Sequence, residues 1–388
     1  MDFSPNEDQQ AIVEAVGKII GGFDDTYWLE RDRTGEFPHD FHKAMAEGGW
    51  LGIAMPEEHG GAGLGLTEAA IMMRTVADSP GAMAACSAIH MNIFGPHAIV
   101  VFGTEAQKQR WLPPLIAGET KACFAVTEPD AGLDTTNIRT RAEKDGNGYV
   151  INGRKIWTST AQVADKVVLL ARTTPREDCA KSTDGISLFY ADLDRSAIEV
   201  REIEKMGRKA VDSNELFIDG LKVSGEDMIG EEGKGFSCLL HSLNPERVLV
   251  ASEAIGIGQQ AIGRAIQYAK ERVVFGRPIG QNQAVQHPLA ESWSELEAAW
   301  LLALQAATLY DQGAQSGPYA NAAKYYASET AFKACERALM AHGGMGYAKE
   351  FHVERFLREV LITRIAPVSR EMILSHIAEK VLGLPKSY

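Results

Sequence analysis

The strongest constraint on this chain is a change of hydrophobic period near residue 120 and a change back near residue 232. Before the first switch, "EDQQAIVEAVGKIIGGF" and "DFHKAMAEGGWLGIAM" space their apolar residues at three and four, the period of a helix with one buried face. "TEAQKQRWLPPLIAGE" adds an N-cap at Thr104 and a short helix expected to stop at Pro113. Between the switches lie "ACFAVTE", "YVINGRKIWTS", "KVVLLART", "GISLFYADL", "IEVREIEKM" and "NELFIDGLKV", short β-rich runs separated by turns such as "KDGNG". After the second switch the chain is helical again, with "EAIGIGQQAIGRAIQYAKERVVFG", "AESWSELEAAWLLALQAATLYDQG" and "ANAAKYYASETAFKACERALMAHGGMGY". This is a multidomain α+β chain: a helical domain over 1–118, a β domain over 119–231 and a helical domain over 232–388. The strands do not alternate with helices, so a doubly wound dinucleotide-binding sheet is excluded.

A chain of 388 residues with 45% hydrophobic and 23% charged residues can build its cores without staples. Its net charge of −13 repels phosphate backbones and anionic bilayers, which argues against nucleic acid and membrane partners. No apolar run is expected to reach the roughly 20 residues that span a bilayer. The five cysteines are scattered and odd in number, so neither a disulfide framework nor a cysteine-bound zinc site is expected. The opening "MDFSPNEDQQ" resembles neither a signal nor a transit peptide, and a reducing, cytoplasmic location is expected.

Two glycine clusters carry little. "HGGAGLG" at 59–65 has no strand before it and no Walker lysine after it, and is read as a plain loop. "HGGMG" at 342–346 resembles an esterase oxyanion loop, but no G-x-S-x-G elbow accompanies it. There is no H-E-x-x-H, and the histidines do not fall at ligand spacings, so no metal site is expected. "FAVTEPDAG" and "GRKIWTST" end strands with hydroxyls, backbone amides and an indole, a set suited to a flat heterocycle with polar edges. Each alone equally suits a β module with a core tryptophan. "ERVVFGRPIGQNQ" suits a pyrophosphate or a solvated corner.

Taken together and in order, "VTEPDAG", "KIWTST", "ERVVFGRPIGQNQ", "HGGMGY" and "RFLREV" resemble the ordered motifs of the acyl-CoA dehydrogenase flavoproteins. The resemblance spans essentially the whole chain. It implies a central β-barrel-like domain, a C-terminal four-helix bundle, bound FAD, and a homotetramer built as a dimer of dimers. It also implies an acyl-CoA substrate oxidised to the trans-2-enoyl thioester, with electrons passed to electron-transferring flavoprotein. Carried over, Phe124, Val126 and Thr127 line the flavin ring, and Trp157 and Ser159 stand by its reactive edge. Arg272, Phe275, Gln283 and Gly344 reach the diphosphate and adenosine across a subunit interface. Ser369 is carried over as a further cofactor contact.

Three departures are minor: Ser159 stands for the usual threonine, Leu133 for a serine and Met340 for a glutamine. The fourth concerns catalysis. Many members carry their base as the glutamate of a Y-E-G-T motif, and here Ala366-Pro367-Val368-Ser369 occupy those positions. Pro367 cannot take a proton. A subgroup that includes isovaleryl-CoA dehydrogenase carries the base on the first helix of the C-terminal domain, immediately before an arginine. "LNPERVLVA" places Glu246 and Arg247 there, so the resemblance implies Glu246 as the base and Arg247 as its partner. Read without it, Glu246 is a first-turn glutamate favoured by the helix dipole, with Pro245 near the start. Arg74 and His90 are read as paired or solvated side chains. An altered reaction on the same scaffold (desulfinase or oxidase-like), or a flavin-binding partner without turnover, are the alternatives.

Overall fold

A computed structural model describes residues 4–93 and 95–387. Seven helices come first: α1 (Glu7–Ile20), α2 (Asp25–Thr34), α3 (His39–Glu47), α4 (Leu66–Ala77), α5 (Ala82–Ile93), α6 (His97–Phe102) and α7 (Glu105–Ile116). Their starts are set by local chemistry. Asn6 and Gln9 form a reciprocal cap on α1, and Thr104 and Gln107 do the same on α7. The N-terminus of α4 is closed from far away, by Asp311, whose carboxylate accepts from the Leu66 and Thr67 backbone N–H groups at 2.7 and 2.9 Å. α7 does not stop at Pro113: Pro113 and Pro114 lie in its last turns, where their carbonyls accept from the Ala117 and Thr120 N–H groups. A further expectation is corrected here. The stretch Ala82–Phe102 is long and apolar enough by length and composition to cross a bilayer, but its described residues fold as α5 and α6 and are mostly buried.

Eight strands follow: β1 (Ala122–Ala125), β2 (Arg141–Asp145), β3 (Gly148–Ser159), β4 (Lys166–Arg172), β5 (Ile186–Asp192), β6 (Ile198–Glu202), β7 (Ser213–Ser224) and β8 (Met228–Ile229). They form one mixed sheet in the order β6-β7-β3-β2-β4-β5-β8 that does not close on itself. β1 adds to it by running parallel to the first half of β4. Apolar side chains pack on both faces of β4 and β5, which is why their sequences are nearly continuous hydrophobic runs rather than alternating ones.

The C-terminal region opens with α8 (Gly235–Glu271), 37 residues long. A small hairpin of β9 (Val273–Val274) and β10 (Arg277–Pro278) leads to α9 (Gln283–Asp311) and α10 (Gly317–His342). The fourth side of the bundle is divided among the short helices α11 (Val353–Val360), α12 (Ile362–Ile365) and α13 (Arg370–His376). One continuous apolar core joins α8, α9 and α10 to α4 and α5, so the two helical regions pack as one body.

One buried ion pair braces the end of the sheet that matters below. The Lys155 ammonium, fully buried, donates to Glu128 Oε1 at 2.9 Å and to the Val126 carbonyl at 3.0 Å. Glu128 also accepts from the Arg139 and Thr140 backbone N–H groups. Burial pulls the lysine down to about 8, and the Glu128 carboxylate opposes that pull. Breaking such a pair from one side strands a buried charge. Lys155→Met is therefore expected to lower unfolding stability by about 3 kcal/mol. Chemical denaturation at fixed protein concentration checks this, and the Glu128→Gln/Lys155→Met pair should recover part of the loss.

Candidate active site

The Lys155–Glu128 brace sets the geometry of one sheet end. Between Lys155 and Thr158 the pairing of β3 with β7 slips, and inside the slip the Ile156 N–H donates to the Thr127 carbonyl at 2.9 Å. This draws the end of β1 against the end of β3. Phe124, Val126 and Thr127 are half-buried there, and Trp157 stands on a left-handed backbone (φ +61°) with its side chain 56% exposed. A tryptophan held in that conformation has lost the burial that normally stabilises it in a strand. The five sequence-derived ring contacts, Phe124, Val126, Thr127, Trp157 and Ser159, thus fall on one edge of the sheet. An exposed indole beside backbone and hydroxyl groups fits the flat, polar-edged ring of a flavin.

Ser159 leads inward from that edge. Its Oγ accepts from Arg208 Nη2 at 3.0 Å, and the same guanidinium donates to Ser213 Oγ and, through Nη1, to Ser87 Oγ, both at 3.2 Å. Ser87 lies on α5, one turn before His90. The His90 ring makes a 2.7 Å contact from Nδ1 to Glu253 Oε1 on α8. Glu253 follows Glu246 by two helical turns, so both carboxylates lie on one face of α8, the face that α5 packs against. α5 is therefore the bridge between the sheet end that bears Trp157 and Ser159 and the helix that bears Glu246.

Glu246 is not in a first helical turn. α8 begins at Gly235, so Pro245 is its eleventh residue and is buried. The dipole account of a glutamate here fails, because that effect fades beyond the first turn. Burial pushes the Glu246 carboxyl up to about 7, opposed by positive charge at His90, Arg247 and Lys324 and reinforced by Glu253. Burial alone would lower His90, but Glu253 and then Glu246 outweigh it and raise the imidazole above its usual range. Arg247 donates from Nη1 to Asn244 Oδ1 at 2.9 Å, while its buried Nε has no hydrogen-bond partner among the described residues. A cleft of about 910 Å³ opens beside Asn244, lined also by His241, Tyr310, Ser316, His376 and Lys380.

The loop at 366–369 holds no base. Pro367 has neither a titratable group nor a backbone N–H. The Val368 carbonyl accepts from Lys324 Nζ at 2.7 Å. Ser369 caps α13, its Oγ accepting from the Met372 N–H at 3.3 Å.

Arg272, Phe275, Gln283 and Gly344 lie elsewhere. All four are exposed, Phe275 completely. Stacking of Tyr268 on His342, 4.4 Å between ring centres, places the hairpin and the 343–347 turn at the same end of the bundle. Along α8, 26 residues separate Glu246 from Arg272, about 39 Å at 1.5 Å per residue. This second set of expected cofactor contacts therefore lies far along α8 from Glu246. Of the residues set aside from sequence, Arg74 donates to Gln259 Oε1 at 2.9 Å and covers Trp300. His90 is a paired side chain, as read, with Glu253 as its partner, and Arg208 and Glu253 carried no local signal.

The acyl-CoA dehydrogenase N-terminal, middle and C-terminal domains match residues 6–119, 123–221 and 233–382. The chain is 35% identical to the acyl-CoA dehydrogenase FadE12 of Mycobacterium tuberculosis, covering 100% of this chain and 99% of that one. It is 37% identical to the CarC subunit of the caffeyl-CoA reductase-Etf complex of Acetobacterium woodii, over 87% of this chain and 88% of that one. The structure of glutaryl-coenzyme A dehydrogenase with glutaryl-CoA superposes with a TM-score of 0.94 at 31% identity, covering 100% of this chain and 98% of that one. The chain belongs to the acyl-CoA dehydrogenase family.

Proposed function

We propose that this protein dehydrogenates an acyl-CoA thioester to the trans-2-enoyl-CoA, with Glu246 as the base that removes the α-proton. The observation that carries this is a recessed carboxyl, held near neutrality on α8, joined through α5 to the sheet edge that bears Trp157 and Ser159. Phe124, Val126, Thr127, Trp157 and Ser159 would hold the FAD ring. Bound FAD would supply the two-electron acceptor for the hydride leaving the β-carbon. Glu246 takes the proton, and a carboxyl near 7 is suited to both accepting and releasing it. Arg247 keeps positive charge beside the base. The cleft at Asn244, lined also by His241, Asp311, His376 and Lys380, is the proposed seat of part of the CoA chain.

Arg272, Phe275, Gln283 and Gly344 would meet the cofactor of a neighbouring copy, since about 39 Å of helix keeps them from their own chain's base. The exposed Phe275, Met340 and Tyr347 at that end support self-association, read here as a homotetramer. Electron-transferring flavoprotein is the proposed acceptor.

Two outcomes test the assignment. Anaerobic titration of the FAD-loaded protein with a panel of acyl-CoA esters should bleach the flavin for a subset of them. Glu246→Gln should slow that bleaching by at least about a hundredfold while CoA-ester binding survives; unchanged bleaching would move the base elsewhere. The second outcome is pH dependence. The base acts deprotonated, so the bleaching rate should rise with pH through about 7. His90→Gln removes a positive charge that favours the carboxylate, and should shift that rise to higher pH in stopped-flow measurements.

A further inference from the structure

The 59–65 loop, set aside above as plain, contains an arrangement that its local sequence does not explain. Glu58 and His59 end a 3-10 turn (Glu57–His59), and Glu105 is the first residue of α7. The His59 side chain is 1% accessible, while those of Glu58 and Glu105 are each 70% accessible. Neither ring nitrogen of His59 has a hydrogen-bond partner among the described residues. Its Nε2 instead faces two carboxylates, 3.6 Å from Glu58 Oε1 and 3.4 Å from Glu105 Oε1. One donor atom from each of the three residues lies within 4.8 Å of the others.

Those separations are too long for good hydrogen bonds. They match the edges of a metal tetrahedron: with metal–ligand bonds of about 2.0–2.1 Å, neighbouring ligand atoms stand about 3.3 Å apart. Where Nε2 carries no proton, its lone pair facing two carboxylates is repulsive unless a cation lies between them. A buried polar nitrogen without a partner also costs about 1–3 kcal/mol, which a metal bond would remove.

We propose that Glu58, His59 and Glu105 form a site for a divalent transition metal, of which Zn²⁺ is the best match. One imidazole and two carboxylates favour Zn²⁺, Co²⁺ or Ni²⁺ over the all-oxygen preference of Mg²⁺ and Ca²⁺. Water completes the tetrahedron on the exposed side. The metal would pin the 3-10 turn to the start of α7, joining residues 46 positions apart. The role is structural and independent of the reading of Glu246.

The test uses the FAD-loaded protein, stripped with EDTA and titrated with ZnCl₂, followed by gel filtration, elemental analysis and thermal unfolding. The site predicts one retained zinc per chain and a rise in Tm that MgCl₂ does not reproduce. Glu58→Gln/Glu105→Gln alters only exposed side chains and should abolish both, as should His59→Gln, with flavin bleaching by acyl-CoA unchanged in metal-free protein. Absence of retained zinc and of a Tm rise would overturn the proposal. So would zinc uptake that survives Glu58→Gln/Glu105→Gln. If zinc has no effect but that double variant lowers Tm, His59 pairs directly with the two glutamates, and there is no metal site.

Discussion

The 2.7 Å contact between His90 and Glu253 is the join on which the site depends. It fixes α5 against α8 by a charged hydrogen bond in a nearly closed environment, where such bonds are strongest. α5 then carries Ser87 to Arg208, and Arg208 carries Ser159 and Ser213 of the sheet. Helix, bundle and sheet are thus tied through one polar path only a few side chains long. Apolar packing alone would hold these units together but would not fix their register, because it is non-directional.

The polar path also sets the chemistry. A carboxyl enclosed by protein rises in proton affinity, and without opposing charge Glu246 would rise further. His90, Arg247 and Lys324 arrive from α5, α8 and α10 to limit that rise, while Glu253 works the other way. Glu253 therefore has two opposed effects: it repels charge on Glu246 directly, yet it holds the imidazole that attracts it. Burial raises Glu246 first, and the nearby charges then set how far it rises.

Much of the fold was legible from period alone. The three-part order and six of the strands follow from apolar spacing, and the N-cap at Thr104 from its side chain. β2 escaped notice because "RAEKD" is mostly exposed and polar, and β8 because it is two residues long. α8 was begun too late because Pro245 looks like a helix start; the ten residues before it, "GFSCLLHSLN", continue the helix on the other side. The proposed ring contacts could be named only from a set of ordered motifs. His90, Arg208 and Glu253 were not, since His90 and Glu253 are 163 positions apart and Ser87 and Arg208 are 121 apart; such pairs meet through tertiary packing and leave no spacing to read.

Pro245 and Pro367 have a linked consequence. A base on the 366–369 loop would depend on a short segment held by the Ala366 N–H on the Ile362 carbonyl, a lysine contact at Val368 and the N-cap at Ser369. A base on α8 is held instead by a helix packed along its length against α4, α9 and α10. Pro245 removes one backbone donor from that helix, freeing the His241 carbonyl beside the cleft. The helix tolerates the loss because the flanking residues Ser242, Val248 and Leu249 are buried. Rigid placement suits a proton transfer that depends on distance to a single carbon, and so a helix-borne glutamate can replace a loop-borne one without the loop retaining any acid–base group.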